Sequence, residues 1–499
     1  MAKQAGRLIV VSARAPFVGE GSRISRAPGG LVSALLPLMR RARGTWIAAG
    51  NERDANTSSD ADFRVISVAI PSDTRAAWYS GASTGALWPL AHGFIDHCRF
   101  RQHDALAYRE VNRRVADAIV STAPLRGTVW VHDYQLGLVP QFVRAQRPDL
   151  TVGFFWHVPW PAAELVRALP WRKELVEGLL GADVVGLHVP RYVRALEAAL
   201  VELGIPYEVD GDELVVPTNG RECRIVACPI GIDVDAWSAL GRHGETRVKA
   251  AILRAQLGGS RVLLAVDRID YSKGIVERLE AFERLLETSV EAREQATLVQ
   301  IAVPSRESVP AYRTLRERME AAVGRILGRF GTPTRRPVHL FTRSYEAEEL
   351  AAFYLAADVA VVTPMRDGMN LVAFEYVATR PAATGRLILS ELTGAADVLD
   401  GAWLLNPYDE DAFEAALAAA TLSPETKVDS ARMAGLQKIV AETSLDRWTS
   451  NFMMRLEQAT GRAGSSVPRS SPRSRSWSGL EPAERLEAHE NVESRRRGA

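Results

Sequence analysis

Short apolar runs rich in β-branched residues, each followed by a longer stretch with helical spacing, recur from Leu8 to about Asp233 and then begin again at Arg261. The first series is LIVVS at 8 to 12, TWIAA at 45 to 49, FRVISVAI at 63 to 70, TVWV at 128 to 131, TVGFFW at 151 to 156, DVVGL at 183 to 187 and RIVA at 224 to 227. The second is VLLAV at 262 to 266, TLVQIA at 297 to 302, VHLF at 338 to 341, DVAVV at 358 to 362, RLILS at 386 to 390 and AWLL at 402 to 405. Apolar strands alternating with helices predict parallel sheets covered on both faces, because both faces of such strands are buried. In IVERLEAFERLLE, Val276, Leu279, Phe282 and Leu286 share one helical face and predict a helix lying on the second sheet. The fold class is therefore α/β with two domains, joined near CPIGIDVDAW at 228 to 237, where proline and glycine end a strand. We assign residues 1–235 to the first domain, 236–444 to the second and 445–460 to a C-terminal helix that is a candidate to pack back on the first domain. Residues 461–499 read as a disordered tail, since SSVPRSSPRSRSWSG and the charged end cannot offset their ordering entropy by burial.

Composition mainly excludes. A net charge of +1 gives no reason to expect nucleic acid as a partner. Cys98, Cys223 and Cys228 form neither a zinc spacing nor a disulfide framework, which suits a reducing cytoplasm. The N-terminal MAKQAGRLIVVSARAP has too short an apolar run for a secretory signal, and no stretch approaches membrane-span length. A cytoplasmic protein with no membrane partner is expected, and a homo-oligomer fits the chain as well as a monomer does. There is no G-x-x-x-x-G-K-S/T phosphate loop and no zinc-ligand cluster, so kinase and metallohydrolase chemistry lack support.

Ligands of open α/β sheets bind outside the carboxyl ends of the strands, so two such domains facing each other create a cleft for two substrates. Polar residues at predicted strand tips are then the candidates. TPMRDGMNLVAFEY, Thr363 to Tyr376, joins a buried strand to an amphipathic helical segment, Leu371 to Ala378, turning at Gly368. Backbone amides at such a helix start suit a diphosphate, Asp367 suits sugar hydroxyls and Glu375 a ribose. In VDRIDYSKG, Arg268 and Lys273 follow the first strand of the second domain, facing the helix start near Asn370, where two cations would hold a diphosphate leaving group. Arg306 in PSRESV repeats the pattern after the next strand. In the first domain Arg14 ends the first strand and Pro28, Gly29, Gly30 and Leu31 open a helix where backbone can approach a ligand closely. VWVHDYQLGLVP brings His132, Asp133 and Tyr134 to the sheet edge, and GFFWHVPWP places His157 there. Each has a blander reading: caps and solvated faces for the acids, surface charge for the cations, a core histidine for His157 and a simple turn for the glycines.

Taken together, GGLVSAL, LWPLAH, VWVHDYQLGLVP, GFFWHVPWP, LPWRKELVEGLLGADVVGLH, CPIGID, VDRIDYSKG, PSRESV, RDGMNLVAFEY and LSELTGAA resemble, in order from about Arg7 to Gln458, the trehalose-6-phosphate synthase family, which includes the glucosylglycerol-phosphate synthases. The resemblance implies a GT-B fold of two facing Rossmann-like domains. It implies a retaining transfer of a hexose, glucose foremost, from a nucleoside diphosphate to a phosphorylated acceptor, with no cofactor and no metal. Glucose 6-phosphate giving trehalose 6-phosphate is the leading product. It also implies Arg268 and Lys273 as a diphosphate clamp, Asp367 as donor-sugar contact and Glu375 as ribose ligand. The backbone of Asn370, Leu371 and Val372, with Gly30 opposite, would close on the donor. His157 and Asp133 would lie beside the reacting sugar and acceptor hydroxyl, and Arg14, Tyr79, Trp88 and Arg306 would form the acceptor pocket. The family's favoured mechanism has the acceptor attack on the face the nucleotide leaves, a phosphate oxygen taking the proton. The acceptor half departs from the family: Ala13 stands for an asparagine, Ala49 for a tryptophan, and Ala82, Ser83 and Thr84 for Phe-Ser-Asn. HVPRYV at 188 to 193 resembles the glucosylglycerol-phosphate branch. Two alternatives follow: a paralogue using glycerol 3-phosphate or a cyclitol phosphate, and a non-catalytic sugar-phosphate sensor.

Overall fold

The structure, a computed structural model, describes residues 7–18, 25–26, 30–51, 58–59, 62–258, 261–306, 309–380 and 382–462. The first sheet runs, edge to edge, Glu208–Asp210, Glu213–Thr218, Arg221–Ala227, Val184–Leu187, Thr151–Phe155, Thr128–His132, Leu8–Ser12, Thr45–Asn51, Arg64–Ile70 and Ser58–Ser59. The second runs Val338–Phe341, Ala296–Val303, Arg261–Arg268, Val359–Val362, Arg386–Ser390 and Trp403–Leu405, and all of its pairings are parallel. Each sheet reverses its winding once. The first does so between Leu8–Ser12 and Thr128–His132, the second between Arg261–Arg268 and Val359–Val362. Such reversals open a crevice above the strand tips, and the two crevices face one another here.

Three expectations need correction. The first sheet is not wholly parallel: Glu213–Thr218 pairs antiparallel with Arg221–Ala227, Glu208–Asp210 joins beyond it, and Ser58–Ser59 adds an antiparallel edge opposite. The segment after the donor loop, the helix Leu371–Thr379, is not amphipathic. It lies between the helices Val234–Arg242 and Lys427–Glu442, so Ala373, Phe374, Tyr376, Val377, Ala378 and Thr379 are all buried. The chain does bend at Gly368, and Asn370 just beyond it has left-handed backbone (φ 61°). The C-terminal helix, Leu445–Arg462, continues two residues past the assigned boundary. The rest of the assigned tail lies outside the described residues, as do Pro28 and Gly29; Gly30 is the first residue of the helix Gly30–Ala42.

The chain crosses between domains twice. Val234–Arg242 packs on the second domain, with Trp237 against Tyr354 at 5.6 Å and Ser238 donating to Ala378 O. The return is fixed by a parallel bridge between Ile232 and Ser444. The helix Leu445–Arg462 then covers the first sheet: Phe452 stacks on Trp130 (centroids 4.7 Å apart) and Trp448 meets Phe155 edge-on at 5.1 Å. Gly153 and Gly186 on neighbouring strands make room, since a Cβ on either would stand 2.8 Å from the Phe452 ring.

Candidate active site

On the first domain's rim, Asp133 follows the strand Thr128–His132 in a strained backbone conformation (φ 77°, ψ 162°). Its Oδ1 accepts from the backbone N–H of Tyr134 (3.0 Å) and of His157 (3.2 Å). Burial pushes its carboxyl pKa up to about 6, against those two hydrogen bonds and the charges of Arg306 and Arg268. The side chain of His157 meets His132 (Nε2 to Nδ1, 3.1 Å), and His188 Nε2 donates to the His157 carbonyl at 3.1 Å. Burial holds all three imidazoles well below their ordinary pKa, so they are neutral near pH 7.

On the second domain, Lys273 sits in the turn after Arg261–Arg268 and pairs with Asp367 Oδ2 at 2.5 Å. Asn370 Nδ2 donates to the same oxygen (3.0 Å) and Gly368 N to the other (2.9 Å). Burial opposes ionisation of Asp367, but Lys273's charge and hydrogen bond outweigh it and hold the carboxyl below its usual range. Asn370 makes no side-chain cap for the helix Leu371–Thr379, so the first-turn amides at Leu371 and Val372 face the loop uncapped, as an anion site requires. One and a half turns on, the Glu375 carboxylate accepts from Tyr354 Oη at 2.8 Å, and burial raises its pKa to about 7 against that bond. Beneath both loops, the fully buried Arg278 donates to Asp267 (2.6 Å), Gln300 (2.9 Å), Thr363 Oγ1 (3.0 Å) and Lys273 O (3.2 Å). It thereby ties the two strand tips of the crevice together.

The halves meet at Asp270 and Arg306. Asp270 accepts from Trp88 Nε1 (3.3 Å), from Ser272, from Tyr312 (3.0 Å) and from Arg306 (3.2 Å). Burial works against its ionisation, yet Arg306, Arg268 and Lys273 keep it below the usual carboxylate range. Arg306 also reaches Tyr134 Oη (3.3 Å) and lies over the Trp88 ring at 4.1 Å, while Arg268 is 5.6 Å from the same ring. Tyr79 accepts a hydrogen bond from Arg14 and acts electrostatically on Arg306 and Tyr134, so Arg14 and Arg306 both lie near Tyr79. Tyr79 is carried on Ala77–Leu87, a segment of wider π-helical winding that leads into Trp88, a distortion that recurs at functional sites.

The structure thus brings Arg14, Tyr79, Trp88, Asp133, His157, Arg268, Lys273, Arg306, Asp367, Asn370 and Glu375 to the two facing crevices. The edited positions divide: Ala13 is half-buried, Ala49 is buried within the strand Thr45–Asn51, and Ala82 is fully buried in the core. Ala82 therefore changes core packing. Thr84 Oγ1 is buried without a hydrogen-bond partner among the described residues. Sequence reasoning passed over Asp270, Arg278 and His92. Asp270 had a signal, an acid between Arg268 and Lys273 in one turn. His92 had another, lying one helical turn after Trp88, on whose ring it rests at 4.1 Å. Its Nδ1 donates to Trp88 O, and Asp270, Asp367 and Lys273 all act on it.

Among the described residues no cluster of histidine, cysteine and acids suits a metal ion, and no helix is long and apolar enough to cross a membrane. The sequence model of glycosyltransferase family 20 matches residues 6–458. A trehalose-6-phosphate synthase of Mycobacterium sp. (strain JLS) is 42% identical over 89% of this chain and 95% of its own length. An alpha,alpha-trehalose-phosphate synthase (UDP-forming) from Burkholderia xenovorans, solved with glucose-6-phosphate, is 35% identical with a TM-score of 0.85, covering 90% of this chain and all 100% of that one. A structure from E. coli bound with UDP-2-fluoro glucose is 30% identical with a TM-score of 0.83, covering 93% and 100%.

Proposed function

The chain belongs to glycosyltransferase family 20, and on that premise we propose that it moves glucose from UDP-glucose to glucose 6-phosphate, with retention, giving trehalose 6-phosphate. The fold is GT-B and the protein is a glycosyltransferase of the trehalose-phosphate synthase type. The observation that carries the assignment of substrates is the seam between domains. Arg306, over the Trp88 ring, lies between the Arg14–Tyr79 pair, suited to a sugar phosphate, and a loop suited to a nucleotide sugar. The relatives supply the names of both ligands: one is UDP-forming and holds glucose-6-phosphate, another holds UDP-2-fluoro glucose.

In this reading Arg268, Lys273 and the amides of Leu371 and Val372 take the diphosphate, with Gly30 facing them, and stabilise the charge that develops as it leaves. Asp367 engages the hexose and Glu375 the ribose. Arg14, Tyr79 and Arg306 take the acceptor phosphate. Asp133 and His157 orient the attacking hydroxyl on the face the diphosphate vacates, and a diphosphate oxygen accepts its proton. Catalysis then comes from positioning and electrostatics, with no enzyme nucleophile, metal or cofactor in the scheme.

The decisive assay offers UDP-, GDP- and ADP-glucose in turn with glucose 6-phosphate, glycerol 3-phosphate or no acceptor, reading nucleotide release and product mass. UDP-glucose with glucose 6-phosphate is expected to give trehalose 6-phosphate. The buried Ala49 favours a second reading, because a tryptophan's stacking surface is missing there. Turnover with another phosphorylated acceptor, and none with glucose 6-phosphate, would establish that reading instead.

A further inference from the structure

The segment HVPRYV at 188 to 193 belongs to the first domain and has no part in the roles above, yet it reaches four backbone carbonyls around the cleft. His188 donates to His157 O (3.1 Å), Tyr192 Oη to Asp367 O (2.7 Å), and Arg191 to Glu391 O (2.9 Å) and to Thr393 O. Arg191 also pairs with Asp397 at 3.1 Å. Three of those carbonyls lie on the other domain, and Thr393 forms a parallel bridge with Asp367.

We propose that Tyr192, braced by Arg191, is a positioning residue for the transferred hexose: from the acceptor domain it fixes the peptide of Asp367, whose carboxylate engages the donor sugar. The inference rests on the donor reading given above. Its geometry is specific. The Asp367 peptide is held through its N–H by Leu392 O (3.3 Å) and through its carbonyl by Gly394 N (3.3 Å) and the shorter Tyr192 bond. Its side chain is fixed separately by Lys273, Gly368 and Asn370. The Tyr192 bond alone among these comes from the opposite domain, so it forms only when the two domains face each other this closely. Burial raises the Tyr192 pKa to about 12, so the hydroxyl remains a donor at any working pH. Sugar contact and domain closure are thereby coupled through one phenol.

The test compares affinities for UDP-glucose and for UDP by calorimetry in the full chain and in Tyr192→Phe. Phenylalanine keeps the ring packing and the contact with the Arg191 guanidinium, 5.3 Å from the ring centroid. Loss of one hydrogen bond to a backbone carbonyl should weaken UDP-glucose binding about threefold to tenfold. UDP, which lacks the hexose, should bind unchanged. Equal weakening of both ligands, or of neither, overturns the inference. Failure of the unaltered protein to bind UDP-glucose overturns the donor reading and the inference with it. If Tyr192→Phe does not fold, Arg191→Gln decides in its place by the same selective loss for UDP-glucose.

Discussion

Asp133 carries two local costs that a purely structural residue would shed. Its backbone occupies a region (φ 77°, ψ 162°) that is nearly reserved for glycine, worth about 1–3 kcal/mol of strain. Its carboxyl is buried, and a rise from 3.8 to about 6 corresponds to roughly 3 kcal/mol of disfavoured ionisation. The sign follows from linkage. Below about pH 4 the group is neutral folded and unfolded; as pH rises past 3.8 the unfolded chain ionises first, so the destabilisation develops between 3.8 and about 6 and is complete at pH 7. Asp133→Asn keeps an oxygen for the Tyr134 and His157 amides and removes the charge. It should therefore raise the unfolding free energy at pH 7 by roughly 3 kcal/mol, lose that gain toward pH 4, and abolish transfer. Denaturant unfolding at both pH values checks this; a variant less stable at pH 7 would mean that the carboxylate supports the fold. Sequence alone placed Asp133 at the strand tip, but its environment depends on the His157 backbone and on Arg306 of the other domain closing around it.

The donor loop shows how an element is set by close approach. A Cβ on Gly368 would stand 2.2 Å from His157 O, and one on Gly394 would stand 2.0 Å from Gly368 O, so three backbones from both domains pack in direct contact. Gly368→Ala must push the loop away from His157. A displacement of about 1 Å at such a site costs roughly 100-fold in kcat/KM, while the circular dichroism spectrum should stay native. Gly328→Ala is the control: that glycine is exposed within the helix Pro310–Phe330, with nothing inside 4 Å, and alanine there should add about 0.5–1 kcal/mol of stability without touching turnover. Preserved activity in Gly368→Ala would show that the domains tolerate a wider gap. Elements were legible where the chain is locally consistent: the parallel strands are continuous apolar runs, and Ile275–Thr288 shows its buried face plainly. The antiparallel edge was not, because Glu208–Asp210 is exposed and charged and Pro217 interrupts its neighbour. Nor was the environment of Leu371–Thr379, whose burial on nearly every side is decided by helices distant in sequence.

At the scale of the whole molecule, the helix Leu445–Arg462 follows the second domain in the chain but completes the core of the first. The sequence offered a signal for its seat that composition hides. Gly153 and Gly186 interrupt otherwise bulky strands, and mid-strand glycines mark a close approach; the partner, Phe452, lies some 300 residues beyond Gly153 and no local pattern connects them. Trp448 is 1% exposed and packs against Trp130, Phe155 and, at 5.9 Å, His157. Trp448→Ala should therefore cost about 3–5 kcal/mol and lower turnover as well, because the wall behind His157 loosens. Met454, on the same helix but 49% exposed, supplies the contrast: Met454→Ala should stay within about 0.5 kcal/mol. Paired denaturation and transfer assays separate the outcomes. If Trp448→Ala lowers stability but leaves transfer intact, the helix only seals the core. If both fall together, a segment contributed after the donor domain holds the acceptor rim in place, and neither domain's half of the site is complete until the last helix has docked.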